Sequence, residues 1–339
     1  MKVKIGELTK IKTGKLDANA SSEEGKYPFF TCSKEPLRIS TYSYDCECVL
    51  VAGNGDLNVK YYNGKFDAYQ RTYIIEDDSS GKLHMPYLYY FMESYVNELR
   101  QQAIGGVIKY IKLGNLTDAL VELPPIDHQK AIVEILEKAR RILDKRNEEM
   151  NALDDLIKAR FVEMFGSIHE STKYPYIAVK DLTDVTSGGT PSRDKTEYWD
   201  NGTIPWVKTT ELQNNVLIDV DEHITEAGLA GSSAKLVPVG TILVAMYGQG
   251  KTRGMTAYLG VEASTNQACA CILPSDKVDS MFMWKYFELS YDKLRSLAQG
   301  AGQPNLNGNM IKNFQVLVPP IELQKEYVDF VNQINKSKV

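Results

Sequence analysis

The chain has 339 residues, of which 43% are hydrophobic and 24% are charged, and its formal net charge is -5. This composition is typical of a globular protein, and the length is sufficient for two ordinary domains. No apolar run approaches the length of a membrane span, and the first residues lack the apolar core of a signal peptide. We therefore expect a cytoplasmic protein with no membrane contact. The acidic balance by itself weakly disfavours nucleic acid as a partner.

The first predicted elements are a strand and a helix. Residues 48–51 form a short apolar run that ends before Gly53, which is typical of a buried strand entering a turn. Residues 87–102 carry apolar and aromatic side chains at helical spacing, which predicts an amphipathic helix. The loop at 52–58 is polar and rich in Gly and Asn, and it is the first of four such loops in the chain.

The most regular part of the chain follows Pro124 and Pro125. Apolar residues alternate there at spacings of three and four, which is typical of a coiled-coil seam. We predict a helix with Asp127 as N-cap and an end at Gly166. About 40 residues at about 1.5 Å each would span on the order of 60 Å. We expect this spacer helix to bind a partner through a seam of Ile132, Leu136, Leu143, Met150, Leu153, Ile157 and Met164.

The second half of the chain shows the same kinds of element. Residues 241–244 form another short apolar run before a glycine and predict a second buried strand. Residues 281–299 have aromatic residues at helical spacing and predict one amphipathic helix. The remaining polar loops lie at 187–193, 247–253 and 299–307.

A second spacer-type helix is predicted after Pro319 and Pro320. Its apolar face begins at Tyr327, and we expect it to pack antiparallel against the long helix. Only about 15 residues remain before Val339, so this helix covers little of the seam. We expect much of the seam to stay uncovered by this chain alone, which predicts either another subunit on the seam or a sequence that is shortened relative to its relatives.

The cysteines and histidines give no metal-binding pattern. Two cysteine pairs, Cys46 with Cys48 and Cys269 with Cys271, are spaced by one residue. Residues two apart lie on one face of a strand, so we expect strand positions rather than a zinc site or a disulfide. The four histidines are scattered and have no ligand spacing.

One motif occurs twice. Leu123-Pro124-Pro125-Ile126, with Gln129-Lys130, recurs 195 positions later as Val318-Pro319-Pro320-Ile321, with Gln324-Lys325. A period this long implies that each copy is a whole domain. We predict an α+β fold with two homologous mixed α/β domains, a long coiled-coil-forming helix between them and a second short helix at the C-terminus. The predicted boundaries are 1–123, 124–166, 167–318 and 319–339.

The four polar loops suggest a binding chemistry. They are rich in Gln, Asn, Lys, Arg and Tyr, whose side chains can contact base edges and phosphates. The alternative is ordinary turn chemistry, which uses many of the same residues.

These features together resemble the specificity subunit of type I restriction-modification systems. The resemblance covers essentially the whole chain and rests on two variable domains, each followed by a Pro-Pro-Ile-x-x-Gln-Lys helix. Further segments that carry it are 161–166, 187–193, 198–199, 202–208 and 265–268. The chain departs from the family pattern at 105–109, which replaces the Gly-Gln-Pro-Asn-Leu form present at 302–306, and in its short last helix.

The resemblance implies a DNA-binding chain without chemistry or cofactor of its own. Two methylation subunits with S-adenosylmethionine would bind the helical spacer, and restriction subunits would use ATP and Mg²⁺. Each domain would read one half of a bipartite, asymmetric double-stranded target, with half-sites about 10 bp apart. In agreement, the sequence has no phosphate-binding loop, no Asn-Pro-Pro-Tyr methylation signature and no dinucleotide fingerprint.

The candidate DNA contacts come from the polar loops and the basic residues around them. In the first domain they are Lys12, Lys15, Asn54, Asn58, Lys60, Gln70 and Arg71. In the second domain they are Arg193, Lys195, Lys208, Tyr247, Gln249, Lys251, Arg253, Gln267, Gln303, Asn305 and Asn307. Of these, Lys12, Lys15, Arg193, Lys195 and Lys208 are expected to contact phosphates.

Two other classes of function stay open at this point. A protein-interaction scaffold with two ligand domains on a coiled coil would have apolar anchors on its loops and no need for DNA. A self-sufficient nuclease or methylase would need a catalytic set of residues, and the only fragment of that kind is Asp17 with Glu24 and Lys26. The target sequence and the gap between half-sites do not follow from the residues.

Overall fold

The computed structural model describes residues 2–248, 250–300 and 304–338. The chain divides into two compact units, the N-terminal unit (Met1–Arg146) and the C-terminal unit (Asn147–Val339). Within the described ranges, no helix is both long enough and apolar enough to cross a membrane.

The N-terminal unit is built on a six-stranded sheet with the strand order β2-β7-β5-β6-β3-β4. Only the pairing of β3 with β6 is parallel. Strands β1 and β8 form a separate antiparallel pair. The elements are β1 (Lys2–Lys4), β2 (Thr9–Thr13), β3 (Tyr27–Phe30), β4 (Leu37–Ile39), β5 (Tyr44–Ala52), β6 (Val59–Ala68), β7 (Thr72–Asp77), α1 (Met85–Gln102), α2 (Leu113–Thr117) and β8 (Leu120–Glu122).

Strand β5 separates two hydrophobic clusters of this unit. Val49 and Val51 lie in the cluster that contains Leu88 and Met92 of α1. The alternate residues of the strand, including Leu50, pack in a second cluster with aromatic residues of β3 and β6. This alternation follows from the two-residue period of a strand. The predicted buried strand at 48–51 and the predicted helix at 87–102 are confirmed.

The long helix α3 (Ile126–Phe165) begins directly after the repeated Pro-Pro and runs through the division between the units. Pro125 provides the carbonyl that accepts the first helical hydrogen bonds. The prediction of Asp127 as N-cap is wrong, because Asp127 already lies in the first turn, where its charge favours the helix dipole. The predicted end at Gly166 is confirmed: its φ is 86° and its N–H donates to the Val162 carbonyl at 2.8 Å.

The C-terminal unit contains a five-stranded sheet, β10-β17-β14-β15-β12, a three-stranded sheet, β13-β11-β16, and the pair β9 and β18. Its first elements are β9 (Tyr176–Ala178), α4 (Val179–Leu182), β10 (Val185–Ser187), β11 (Ile204–Val207), β12 (Asn215–Leu217), β13 (His223–Ile224) and α5 (Glu226–Ala230). Its later elements are β14 (Ile242–Ala245), β15 (Thr256–Leu259), β16 (Ser264–Thr265), β17 (Cys269–Ile272), α6 (Ser280–Leu289), α7 (Tyr291–Ser296), α8 (Gly308–Lys312), β18 (Gln315–Leu317) and α9 (Ile321–Ser337).

The two units share a strand arrangement. The order β2-β7-β5-β6 of the first sheet matches β10-β17-β14-β15 of the second, with antiparallel neighbours in both. Strand β14 also alternates between two hydrophobic clusters, as β5 does. The predicted strand at 241–244 is therefore confirmed as the counterpart of the strand at 48–51.

The predicted single helix at 281–299 is wrong. Helix α6 ends at Leu289, and α7 begins at Tyr291. The residue between them, Ser290, has φ -94° and ψ 11° and is buried. Leu294 of α7 lies in the same core cluster as Phe282 and Phe287 of α6. Helical spacing on both sides of one residue does not reveal such a break.

The last helix packs antiparallel against the end of α3, as expected. Tyr327 is buried among aromatic residues of α3 and α6, and its hydroxyl donates to the Ile157 carbonyl at 3.3 Å. Arg160 pairs with Glu326 at 2.8 Å. One end of this contact is closed by an ion pair between Asp154 and Lys338.

The repeated motif has one structural role in both units. Gln129 and Gln324 are buried, and each side-chain amide donates to the carbonyl of the first proline of its motif, at 2.8 and 2.7 Å. The amide oxygens accept from the backbone N–H of His84 and Asp279, which precede α1 and α6, at 2.8 Å each. The glutamine therefore ties the start of the motif's helix to the start of an earlier helix in each unit.

Candidate nucleic-acid interface

Four loops meet in the N-terminal unit. We call 14–17, 53–58, 69–71 and 104–111 the N-terminal loop cluster. Gly53 donates its N–H to the Arg71 carbonyl at 2.8 Å and accepts from the Ile111 N–H at 2.9 Å. A Cβ atom at Gly14 would lie 2.2 Å from the Ala68 carbonyl oxygen, so this approach requires glycine. The loops border a groove of about 490 Å³.

Three predicted contacts line this groove. Lys15, Gln70 and Arg71 are exposed and share it with the backbone of Gly53. The Gln70 amide nitrogen donates to Asp17 at 2.8 Å. Asn54, a fourth predicted contact, follows Gly53 directly and is half-buried.

Three other predicted contacts of this unit have intramolecular partners. Lys12 forms an ion pair with Glu76. Asn58 donates to two backbone carbonyls at 2.8 Å each, and its side-chain oxygen accepts from Lys60. Burial lowers the pKa of Lys60. Asn58 also lines a different groove, beside Arg100. The structure therefore does not bring Lys12, Asn58 and Lys60 into the groove that Lys15, Gln70 and Arg71 share.

The C-terminal unit holds equivalent loops by equivalent bonds. We call 188–193, 246–248, 250–254, 266–268 and 304–307 the C-terminal loop cluster. Met246 donates its N–H to the Ala268 carbonyl at 2.8 Å and accepts from the Leu306 N–H at 3.0 Å, as Gly53 does in the first unit. A Cβ atom at Gly188 would lie 2.0 Å from the Thr265 carbonyl oxygen, so the backbone approaches this glycine as closely as it approaches Gly14 in the first unit.

The predicted contacts of this cluster fall into two groups. Tyr247, Lys251 and Gln267 are exposed, and the Gln267 side-chain oxygen is hydrogen-bonded to the Thr190 hydroxyl. Gln249 and Gln303 lie outside the described residues.

The second group forms hydrogen bonds within the loop cluster and consists of Arg253, Asn305 and Asn307. The Arg253 guanidinium donates to the Pro304 carbonyl. Asn307 is the N-cap of α8 and accepts from a backbone N–H at 3.0 Å. Asn305 exchanges two backbone hydrogen bonds with Gln299. These residues therefore help to shape the loop cluster, whatever else they contact.

Two of the predicted phosphate contacts share a carboxylate. Arg193 and Lys208 pair with opposite oxygens of Glu222, at 2.5 and 3.0 Å. The Arg193 guanidinium also lies 3.6 Å from the centre of the Trp199 ring and 4.9 Å from that of Trp206. Burial raises the pKa of Glu222, but the hydrogen bonds from the two cations lower it more, and the net pKa lies below its ordinary value.

Lys195 has a separate position. Its ammonium donates to the Tyr198 hydroxyl at 2.9 Å, and this hydrogen bond raises the pKa of Lys195.

Sequence reasoning did not identify Asp17, Thr190 or Glu222 as part of the interface. Each acts by contacting a residue distant in sequence, and no local pattern reveals such a contact.

The seam of α3 is covered over only part of its length. Ile157 is buried, Met164 packs against the core of the C-terminal unit, and Met150 and Leu153 are half-buried. The remaining predicted seam residues are exposed, namely Ile132, Leu136 and Leu143. Ile135 and Ile142 are exposed as well and were not predicted. These five exposed apolar side chains follow helical spacing on one face of α3, and we call them the α3 apolar surface.

The cysteines occupy strands, as expected: Cys46 and Cys48 lie in β5, and Cys269 and Cys271 lie in β17. In the parts of the chain that the structure describes, no three His, Cys, Asp or Glu residues are grouped so as to hold a metal ion.

Comparisons with known proteins point to one family. A family model described as the type I restriction modification DNA specificity domain matches residues 1–153 and 171–338. The chain is 37% identical over 156 residues to the specificity subunit of the type I restriction enzyme EcoDI of Escherichia coli, which covers 46% of this chain and 34% of that protein. It is 22% identical to the MjaVIII specificity subunit of Methanocaldococcus jannaschii, with 98% and 85% covered.

The fold has a match among solved structures. The S subunit of the type I restriction-modification system of M. genitalium aligns with a TM-score of 0.62 and 16% identity, over 100% of this chain and 90% of that one. The chain spans only 34% of the EcoDI subunit and 64% of the EcoR124I/EcoR124II subunit. The predicted α+β fold, with two homologous domains, a long helix between them and a short C-terminal helix, is confirmed.

Proposed function

The chain belongs to the type I restriction-modification DNA specificity family, and from this premise we propose that it is the non-catalytic subunit that reads a bipartite, asymmetric double-stranded DNA target. Residues 1–123 and 167–318 would each read one half-site. The helices at 124–166 and 319–339 would fix the distance between the half-sites and bind the methylation subunits.

The observation that carries the proposal is the pair of matched loop clusters. The backbone bonds of Gly53 and Met246 are equivalent, so the residues that follow them, Asn54 and Tyr247, occupy matched positions. Side chains of different chemistry on one backbone frame would contact different base edges. Two such frames on one chain therefore support a target with two unlike halves.

The electrostatics support a shared interface with other subunits. The exposed cations are Lys15, Arg71 and Lys109 in the N-terminal loop cluster and Arg193 and Lys251 in the C-terminal one, which is a small number for DNA binding. The whole chain carries a net charge of -5. We therefore expect the isolated chain to bind DNA weakly and its methylation partners to supply many of the phosphate contacts.

The α3 apolar surface supports a protein partner at a separate place. Ile132, Ile135, Leu136, Ile142 and Leu143 expose apolar side chains along about three turns of one helix. We propose that this surface binds the methylation subunits, on which S-adenosylmethionine would be bound. Restriction subunits with ATP and Mg²⁺ would complete the complex.

The experiment is to co-express the chain with a methylation subunit of a type I system and to map modified adenines in the host genome. The expected result is one asymmetric motif in two parts with a fixed gap, absent when this chain is omitted. A continuous motif, or the same motif without this chain, would contradict the proposal.

The scaffold alternative makes a different prediction. It requires methylation to be independent of this chain and the complex to bind scrambled duplexes as well as target duplexes. Measuring retention of both duplexes by the purified complex separates the two functions.

A further inference from the structure

The loop at 104–110 is a closed hairpin with an apolar tip. Ile104 and Tyr110 exchange two backbone hydrogen bonds of 3.0 and 2.8 Å, and Gly105 has a φ of 120°. Val107 is fully exposed and Ile108 is 63% exposed. Single exposed apolar residues are common, but a fixed hairpin with two at its tip and two more exposed at its base is a patch.

The hairpin belongs to the N-terminal loop cluster. Lys109 accepts a hydrogen bond from the Gly55 N–H at 3.0 Å, and Tyr110 pairs with Asn54 through the backbone. The next residue, Ile111, lines the groove that contains Gln70. The apolar tip is therefore attached to the loops that the proposed function assigns to DNA.

We propose that Val107 and Ile108 contact the 5-methyl group of a thymine in the half-site read by the N-terminal unit. This inference rests on the proposed function. Apolar side chains cannot form hydrogen bonds with base edges, and the thymine methyl is the apolar group that a base pair presents in the major groove. The tip would thus select an A·T pair by burial of methyl groups.

Charge and size favour DNA over a protein at this tip. Lys109 is adjacent to Ile108, and Lys15 and Arg71 line the adjoining groove, so the surroundings suit phosphates. Two side chains are far smaller than the roughly 800 Å² per partner of a specific protein interface.

The C-terminal unit provides an internal comparison. Gln299 and Asn305 exchange two backbone hydrogen bonds of 3.1 and 3.0 Å, and Gly300 has a φ of 137°. The two loops have the same length, and in sequence Gly302 and Gln303 stand where Val107 and Ile108 stand in the first unit. Selection by methyl burial is therefore expected in one half-site only.

The test removes methyl groups from both sides of the contact. In target duplexes, each thymine of both half-sites is replaced in turn by deoxyuridine, which keeps every hydrogen-bonding group. Equilibrium binding to the complex of this chain with its methylation subunits is measured for the wild type and for Ile108→Ala. Ile218→Ala is the matched control, because Ile218 is 75% exposed in the other unit.

We expect one deoxyuridine in the first half-site to weaken wild-type binding about fourfold, the factor for one buried methyl group. Ile108→Ala should weaken binding to the thymine duplex by about fourfold or more, and it should lose less than the wild type on the deoxyuridine duplex, because only Val107 still contacts the methyl group. Ile218→Ala should behave as the wild type does. Both variants alter exposed side chains, so folding should be unaffected.

Three results would overturn the inference while the proposed function stands. They are a first half-site without an A·T pair, wild-type binding that is insensitive to every deoxyuridine, and an Ile108→Ala loss that is equal on both duplexes. The last result would point to a protein contact at the tip. If the wild-type complex binds scrambled and target duplexes equally, the proposed function itself fails.

Discussion

The two loop clusters hold matched glutamines whose neighbours differ. Gln70 donates its amide nitrogen to Asp17, whereas Gln267 is bonded through its amide oxygen to the Thr190 hydroxyl. A carboxylate oxygen accepts this hydrogen bond, so the Gln70 amide nitrogen faces Asp17 and its amide oxygen would be the group offered to a base. With the hydroxyl as donor, Gln267 keeps both amide hydrogens free. The same residue type at equivalent backbone positions therefore exposes different hydrogen-bonding groups, because a neighbouring side chain sets the orientation of its amide.

We expect the largest effect for the buried glutamine of the repeated Pro-Pro motif, which is present in both units. Gln129→Ala and Gln324→Ala each leave buried backbone groups without partners, and we expect each to lower the free energy of unfolding by about 2–4 kcal/mol. Gln129 makes three hydrogen bonds and Gln324 makes two, so the first change should cost more. Urea denaturation measures both, with exposed Gln213→Ala as control. If the free energy of unfolding falls by less than about 1 kcal/mol for either variant, the arrangement of the helix starts at the motif does not depend on the glutamine.

The next effect separates the two clusters. Gln70→Ala and Gln267→Ala should each relax base preference in a different half-site, by roughly 10- to 100-fold in discrimination at one position. Mapping methylated motifs in cells that carry each variant is the measurement. Asp17→Asn lets the Gln70 amide turn, so it should relax the same position as Gln70→Ala by a smaller factor. Relaxation of both half-sites by one variant would contradict independent reading by the two clusters.

The smallest effect concerns the ion pairs of the C-terminal unit. Glu222→Gln removes the carboxylate that Arg193 and Lys208 share, while Lys208 keeps Asp221 as a partner at 3.5 Å. Arg193 then becomes available to phosphates, and we expect about two- to fivefold tighter binding to a scrambled duplex, in line with the small energies of ion pairs near the surface. The salt dependence of that binding should steepen by about one phosphate contact. Glu262→Gln, which removes an exposed charge elsewhere in the same unit, is the control. If both variants bind alike, Glu222 has no specific effect on these cations.

Much of the fold could be predicted because its signals are local or repeated. Apolar runs marked β5 and β14, and the repeated Pro-Pro motif marked the starts of α3 and α9. The break at Ser290 was missed because helical spacing persists on both sides of it. Ile135 and Ile142 were missed because alternating spacings of three and four residues select a single narrow row of side chains along a helix. In the structure, the exposed apolar side chains of α3 occupy a wider part of the helix surface than that row.

Less of the candidate site could be predicted. The described residues of the four polar segments lie mostly between helices and strands, but the sequence does not say which polar side chains the fold itself uses. Asn58, Asn307 and Asn54 all lie in polar loops of similar composition. The side chains of Asn58 and Asn307, however, are hydrogen-bonded to backbone groups of their own unit. Arg193 and Lys208 share Glu222, which becomes adjacent to Arg193 only after the strands pair. The assignment of individual DNA contacts stays a prediction.

The ion pair between Asp154 and Lys338 has a consequence for how the C-terminal unit could be engineered. It joins the part of α3 that lies in this unit to the end of α9, so two segments 184 positions apart in sequence are neighbours. Segments with adjacent ends can be inserted into or removed from a host chain with little disturbance. The C-terminal unit therefore has end segments whose geometry would suit such an insertion.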